Sequence, residues 1–200
     1  MNAGSPTVVL VGLMGTGKST LAWDLSRHYG VPLLDTDKMV EQRAGRSVRE
    51  IFSDEGEAVF RRLESDVLRG CLLTPGGAVI AAAGGVVLDE GNRGAINERR
   101  RAGGAVVVWL TAPTELLAER TAKGPHRPLL DDDRLAVLEE MSRLREPLYR
   151  EVSDVVVDVS RRSVESVAEL VVRSIDALLS MGEGMDGDED MDEHEDRVER

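Results

Sequence analysis

The segment 12–19, GLMGTGKS, constrains this chain more than any other feature. It matches the pattern Gly-x-x-x-x-Gly-Lys-Ser/Thr in full. It follows Thr7–Val11, a β-branched apolar run typical of a strand buried on both faces, and leads into Ser19–Tyr29, whose pattern predicts a helix. Glycines allow a tight loop whose backbone N–H groups face inward, and the helix start adds positive partial charge. The sequence therefore predicts a phosphate-binding loop between a buried strand and a helix.

The polar residues of this loop fit a nucleoside triphosphate with Mg²⁺. The Lys18 ammonium can reach the β- and γ-phosphates, and the Ser19 hydroxyl is a suitable Mg²⁺ ligand beside a phosphate oxygen. We therefore predict that the chain binds ATP and Mg²⁺. The predicted nucleotide-binding residues of the loop are Gly15, Thr16, Gly17, Lys18, Ser19 and Thr20.

Apolar runs and helical patterns alternate along the rest of the chain. Further strands are predicted at Leu33–Leu34, Ala78–Ala82, Ala105–Leu110 and Asp154–Val159. Further helices are predicted within 37–72, with breaks near Gly45 and Ser53-Asp54, and at Asp89–Arg101, Pro113–Thr121, Arg134–Leu148 and Val164–Leu179. A loop is predicted at Lys123–Asp133, which is rich in glycine, proline and aspartate. Such alternation is typical of an α/β fold with a parallel sheet covered on both faces.

The net charge of −12 is concentrated at the C-terminal end. Residues 181–200 hold ten acids and two arginines, so the preceding residues carry a net charge of only about −4. We expect residues 1–180 to form one domain and residues 181–200 to be a disordered acidic tail, because the tail has too little apolar surface to offset the entropy of ordering. Docking of a partner and attraction of metal ions are the alternatives to a solvated extension.

Composition also limits the partners and the location. Because the chain is acidic and only 3% aromatic, no nucleic-acid partner is expected. We see no signal peptide and no apolar stretch of the roughly 18–20 residues that a membrane span needs, so a cytoplasmic protein without membrane contact is expected. The single cysteine, Cys71, rules out an internal disulfide. We interpret Cys71, Trp23 and Trp109 as packing residues.

A second group of polar residues indicates what accepts the phosphate. Asp35 and Asp37 end the second predicted strand, and open α/β sheets bind ligands at the carboxyl ends of their strands. One aspartate could hold a Mg²⁺-bound water while the other receives a hydroxyl proton. The alternative for Asp37 is the N-cap of a helix.

Two arginines and a glycine pair suggest a clamp for an anion. Arg61 precedes Glu64 by three residues on a predicted helix, a spacing that permits an orienting ion pair. Arg145 lies on a later helix, and two converging arginines would bind a carboxylate bidentately, although each alone is also typical of a solvated surface charge. Gly84 and Gly85 offer bare backbone N–H groups at a strand end. These residues predict an acceptor with hydroxyls and one negative charge.

With these residues, the chain resembles the shikimate kinase family over roughly residues 7–175. The matching segments are GLMGTGKST, LLDTD, SVREIFSDEGEAVFRR, the glycine pair after the third strand, HRPLL, REPLYREV and VDVSRR. Apart from the phosphate loop each segment is weakly specific, but their order and spacing together are highly specific.

The resemblance implies a three-layer α/β/α P-loop kinase fold with five parallel strands in the order 2-3-1-4-5. It implies ATP-dependent phosphorylation of the 3-hydroxyl of shikimate, in aromatic amino-acid biosynthesis. We also expect a monomer. The resemblance places shikimate contacts on Asp37, Arg61, Gly84 and Arg145, and Mg²⁺ on Ser19 and, through water, on Asp35. It makes residues 123–134 a lid with Arg127 reaching the phosphates, and it places Arg120 and Arg162 beside the adenine. Lys18, Asp37 and Arg127 would be the catalytic residues.

The chain departs from the family at Ala83, where family members usually carry the first of three glycines. Alanine is harmless there if φ is negative, but a positive φ would strain the backbone by roughly 1–2 kcal/mol, and the methyl group could crowd the acceptor. Two alternative functions follow from these observations. One is another small-molecule kinase, such as a gluconate kinase, and the other is a nucleotide-binding regulatory module without catalysis.

Overall fold

A sheet of five parallel strands forms the centre of the computed structural model, which describes residues 5–122 and 133–183. The strands are β1 Thr7–Val11, β2 Leu33–Asp35, β3 Ala78–Ala81, β4 Val106–Thr111 and β5 Val155–Asp158. Their order across the sheet is β2-β3-β1-β4-β5, and every neighbouring pair is parallel. The predicted fold class and strand order are therefore confirmed.

Helices cover both faces of this sheet. They are α1 Lys18–Tyr29, α2 Thr36–Ala44, α3 Val48–Glu55, α4 Glu57–Leu72, α5 Glu90–Arg101, α6 Thr114–Ala122, α7 Arg134–Val152 and α8 Val164–Glu183. A short 3-10 turn, Val86–Leu88, precedes α5. Alternate residues of β1 separate the two cores: Val9 and Val11 pack with α2 to α7, whereas Val8 and Leu10 pack with α1 and α8. Because successive side chains of a strand point to opposite faces of the sheet, helices pack on both faces and the fold has three layers.

Three predicted element boundaries are wrong. The break in the helical region falls at Gly56, with φ +80°, rather than at Ser53-Asp54, which stay inside α3. Helix α7 continues beyond Leu148 to Val152, although it contains Pro147. Helix α8 continues beyond Leu179 to Glu183.

The packing predictions are partly correct. Cys71 and Trp109 are buried as expected. Trp23 is 52% exposed, and the guanidinium of Arg27 lies 4.7 Å from the centre of its ring. The interpretation of Trp23 as a packing residue is therefore wrong. Its position on the outer face of α1 explains the exposure. Among the described residues, no helix has both the length and the apolar character needed to cross a bilayer.

Most of the predicted lid and tail lies outside the described residues. Of residues 123–134, only Asp133 and Arg134 are described; Asp133 caps α7 by accepting a hydrogen bond from the Ala136 N–H at 3.2 Å. Arg127 and residues 184–200 are not among the described residues. The lid and the disordered tail therefore remain predictions.

A glycine pair before β3 allows a test of close packing between the amino ends of β3 and β1. Gly76 and Gly77 have φ of +76° and +85°, but only at Gly77 would a Cβ atom meet backbone, 2.7 Å from the Pro6 carbonyl oxygen. We expect Gly76→Ala to lower the free energy of unfolding by about 1 kcal/mol and Gly77→Ala by about 3 kcal/mol or more. Urea denaturation measures both values, and equal losses would contradict this account.

Candidate active site

The phosphate loop connects β1 to α1 and is held by its own side chains. The Thr16 hydroxyl donates to the Leu13 carbonyl oxygen at 2.8 Å, which braces the loop from inside. The Lys18 ammonium donates to the carbonyl oxygens of Gly12 at 2.8 Å and Leu13 at 3.0 Å. Lys18 is thus already positioned at the loop, where phosphate oxygens can replace these carbonyls as acceptors.

Gly12 and Gly17 give this loop its shape. Gly12 has φ +139°, and a Cβ atom there would overlap the Leu110 carbonyl oxygen of the neighbouring strand β4. Gly17 precedes α1 as its N-cap, with φ +90° and no side-chain cap, so the first N–H groups of the helix are left for a ligand.

Ser19 and Asp35 meet beside the loop although 16 residues separate them in the chain. The Ser19 hydroxyl donates to Asp35 Oδ2 at 2.9 Å. Asp35 also caps α2, because its Oδ1 accepts the Lys38 N–H at 3.4 Å. The N-cap role considered for Asp37 therefore belongs to Asp35, and Asp37 lies in the first turn of α2.

This hydroxyl and carboxylate fit Mg²⁺, which prefers oxygen ligands and usually takes only one or two from the protein. Within residues 5–122 and 133–183, no cluster of three or more histidines, cysteines, aspartates or glutamates could hold a metal ion. A metal ion at Ser19 and Asp35 would therefore depend on phosphate oxygens and water for its remaining ligands.

Arg61 is held in place by two acids of its own helix. Its Nη1 donates to both carboxylate oxygens of Glu64, at 3.1 and 2.8 Å, and its Nη2 donates to Glu57 at 3.0 Å. Burial alone would lower the pKa of the Arg61 guanidinium, but Glu64 and Glu57 together raise it. The predicted orienting pair of Arg61 and Glu64 is present.

Glu64 is the buried charge on which this arrangement depends. Glu64 is only 1% exposed to solvent. Burial raises the pKa of its carboxyl group above the ordinary value, Arg61 opposes the shift, and the negative charge of Asp37 adds to it. Arg145 also acts on Glu64, so the charges of α2, α4 and α7 are close neighbours.

Arg145 and Arg61 reach the glycine pair from different helices. Arg145, 8% exposed, donates through Nη1 to the Gly84 carbonyl oxygen at 3.2 Å. The Arg61 guanidinium lies against Gly85, where a Cβ atom would come within 2.8 Å of its Cζ. Gly85 has φ −95°, so it is needed for space rather than for backbone conformation. The two arginines thus converge on one short segment.

Ala83 belongs to the core beneath this segment. It is buried and is part of the apolar cluster on the side of the sheet formed by α2 to α7, so packing rather than the acceptor accounts for its methyl group. Its N–H donates to the Thr36 hydroxyl at 2.8 Å. Thr36 lies between Asp35 and Asp37, and this bond ties the aspartates to the glycine segment.

Arg120 lies beside the phosphate loop, at Gly15. Arg120 donates to the carbonyl oxygens of Gly15 at 3.4 Å and Val159 at 3.3 Å. Arg162 is exposed in the turn that follows β5, three residues after Val159. Arg120 therefore joins the loop after β1 to the residue that follows β5, and Arg162 lies three residues further along the chain.

Two residues of the site were not predicted from sequence. The Tyr149 hydroxyl donates to the Gly84 carbonyl oxygen at 2.6 Å, and Thr36 receives the Ala83 N–H. Both side chains are fully buried. An aromatic residue on an amphipathic helix predicts packing in the core. Only the spacing of four residues between Arg145 and Tyr149 could have indicated that both side chains point from α7 toward the same place.

The parallel sheet, the phosphate loop after β1 and the aspartates at the carboxyl end of β2 define the class of P-loop small-molecule kinases. A family model described as shikimate kinase matches residues 14–176. This chain belongs to the shikimate kinase family.

Individual relatives agree with this assignment. The shikimate kinase of Thiobacillus denitrificans is 42% identical over 170 residues, which cover 84% of this chain and 90% of the relative. The solved shikimate kinase from Acinetobacter baumannii in complex with shikimate has a TM-score of 0.80 at 31% identity, covering 86% of this chain and 94% of that one. A gluconokinase from Sinorhizobium meliloti has a TM-score of 0.56 at 17% identity, with 91% and 98% covered, and shares the fold alone.

Lys18 gives a direct test of the phosphate loop. We expect Lys18→Ala to lower kcat at least about 100-fold, because its charge is already positioned at the loop. Lys38→Ala is the matched control: this lysine is exposed on α2, and only its backbone N–H contacts Asp35. Steady-state release of ADP measures both variants. Equal activity of Lys18→Ala and Lys38→Ala would contradict the assignment.

Proposed function

We propose that this chain transfers the γ-phosphate of ATP to the 3-hydroxyl of shikimate, giving shikimate 3-phosphate and ADP. The observation that carries the proposal is the convergence of Arg61 and Arg145 on Gly84 and Gly85, because two guanidinium groups suit the carboxylate of a cyclic acid. Membership of the shikimate kinase family supports the same acceptor. The reaction belongs to aromatic amino-acid biosynthesis.

Catalysis by this site would consist of positioning and charge stabilisation. Phosphoryl transfer requires little covalent chemistry from the protein, so the fixed charges around the γ-phosphate matter most. Lys18 would move from the loop carbonyls to the β- and γ-phosphates. Ser19 and Asp35, joined at 2.9 Å, would hold Mg²⁺. Bound Mg²⁺ supplies positive charge to the phosphate oxygens.

Asp37 would orient the acceptor hydroxyl and take its proton. It lies in the first turn of α2, one residue after Thr36, whose hydroxyl is bonded to Ala83 next to the glycine pair. The same carboxylate influences buried Glu64, which holds Arg61. Hydroxyl recognition and carboxylate recognition are therefore supported by one connected cluster.

The remaining assignments stay predictions. Arg120 and Arg162 would border the adenine, and the hydrogen bonds from Arg120 to Gly15 and Val159 support a place beside the nucleotide. Arg127 and the lid 123–134 would cover the phosphates. We also retain the monomer, the absence of nucleic-acid and membrane partners, and the cytoplasmic location as predictions. The two alternative functions are not favoured, because the family match covers the domain and the gluconokinase likeness is one of fold.

A coupled assay tests the function. We expect Mg²⁺-dependent ADP formation when shikimate is added and none when gluconate is added. ADP formation with gluconate but not shikimate would favour another small-molecule kinase, and ATP binding without turnover on either acceptor would favour the regulatory module.

Arg61 tests the acceptor clamp. We expect Arg61→Ala to raise the KM for shikimate about 10- to 100-fold while changing the KM for ATP little, because it removes a charge-assisted contact. Arg62→Ala, an exposed neighbour on α4, is the control and should behave like the natural chain. The double variant Arg61→Ala/Glu64→Gln removes the buried charge left without its partner, so it separates loss of the clamp from misfolding. An unchanged KM for shikimate in Arg61→Ala would disprove the clamp.

A further inference from the structure

We propose that Tyr149 is a positioning residue for the acceptor: its hydroxyl fixes the Gly84 carbonyl and thereby aims the Gly85 N–H at shikimate. The inference rests on the proposed function, because it concerns the same acceptor site. It gives a role to a side chain that does not itself contact the acceptor.

The hydrogen bond from Tyr149 is short and sheltered. The hydroxyl donates to the Gly84 carbonyl oxygen at 2.6 Å, and the residue is fully buried. Arg145 donates to the same oxygen at 3.2 Å. The carbonyl therefore receives two donors from one helix, one of them the hydroxyl of a fully buried side chain.

The geometry of the peptide bond transmits this contact to the next amide. In a trans peptide the carbonyl and the following N–H lie in one plane and point in opposite directions. Fixing the Gly84 carbonyl therefore fixes the Gly85 N–H, which points away from Tyr149. Within residues 5–122 and 133–183, neither the Gly84 N–H nor the Gly85 N–H has a hydrogen-bond acceptor. Both amides are therefore unpaired in this part of the chain; Gly84 is half-buried and Gly85 is buried beneath the Arg61 guanidinium.

Tyr149 also limits where Arg145 can be. The two residues are four apart on α7, so they lie on the same face of the helix. The ring of Tyr149 packs on Trp109 of β4, with ring centres 5.9 Å apart, which holds the hydroxyl in place. While Tyr149 satisfies the Gly84 carbonyl, Arg145 does not need to do so alone and can share its guanidinium with an acceptor carboxylate.

The hydroxyl stays a donor across the working pH range. Burial raises the pKa of Tyr149 to about 12, although Arg145 opposes the shift. Deprotonation therefore does not remove the bond in a neutral or moderately basic assay.

The chain provides its own matched control, because it has only two tyrosines. The Tyr29 hydroxyl bonds to Asp176 at 3.0 Å, which joins α1 to α8 on the opposite face of the sheet. Tyr29→Phe and Tyr149→Phe therefore each remove one hydroxyl and one hydrogen bond, but only Tyr149→Phe acts at the glycine segment.

The experiment compares the KM for shikimate, the KM for ATP, kcat and the melting temperature of both variants with those of the natural chain. We expect Tyr149→Phe to raise the KM for shikimate about five- to tenfold, because one buried hydrogen bond is lost. Its kcat and its KM for ATP should stay within about twofold of the values for the natural chain. Tyr29→Phe should lower the melting temperature without changing either KM.

Several results would overturn the proposal. A KM for shikimate in Tyr149→Phe within twofold of that in Tyr29→Phe would show that the hydroxyl does not position the acceptor. An equal rise of both KM values, or unfolding of Tyr149→Phe at the assay temperature, would show a general structural role. If the natural chain phosphorylates another acceptor, the proposed function fails, and a Tyr149→Phe effect limited to the KM for that acceptor would still support the positioning role.

Discussion

The pairing of β1, β2 and β3 as parallel neighbours is the constraint on which the site depends. Leu10 of β1 and Asp35 of β2 are both in register with Ala81 of β3, so the three strands end at nearly the same level. The phosphate loop, the aspartates and the glycine segment therefore begin side by side. A triphosphate site and an acceptor site can then be adjacent without any long loop to join them.

The phosphate loop and the alternation of strands and helices follow from local patterns, because buried β-branched runs and a full loop motif are visible in single segments. The strand order was implied by the resemblance to the shikimate kinase family. Contacts made across the chain are not visible in this way. Thr36 and Ala83 are 47 residues apart, and Tyr149 and Gly84 are 65 apart. The break expected at Ser53 was wrong for a different reason: its hydroxyl bonds to the Glu50 carbonyl oxygen within the helix, which lets a residue common in turns stay helical.

Buried charge is found on the proposed acceptor side of the site, where Glu64 and Arg145 are both buried. Asp37, Arg61, Glu64 and Arg145 include two charges of each sign, so the cluster is balanced before any acceptor enters. A buried ion pair contributes little to the net free energy of unfolding. Substitution lowers that free energy strongly only when one charge is removed and its partner is left buried and unpaired. The value of the pair here is geometric, because Glu64 directs Arg61 toward Gly85 while Arg145 approaches from the other helix.

The contact between Trp109 and Tyr149 means that tryptophan fluorescence can be used to follow the proposed acceptor side of the site. The chain has two tryptophans, and the other one, Trp23, is exposed on the outer face of α1 beside Arg27. Trp109 is buried, and its ring lies next to the tyrosine that is bonded to Gly84. Replacing Trp23 by phenylalanine would leave a single buried indole. We expect its intrinsic emission to change when an acceptor binds beside Gly84, without an attached dye.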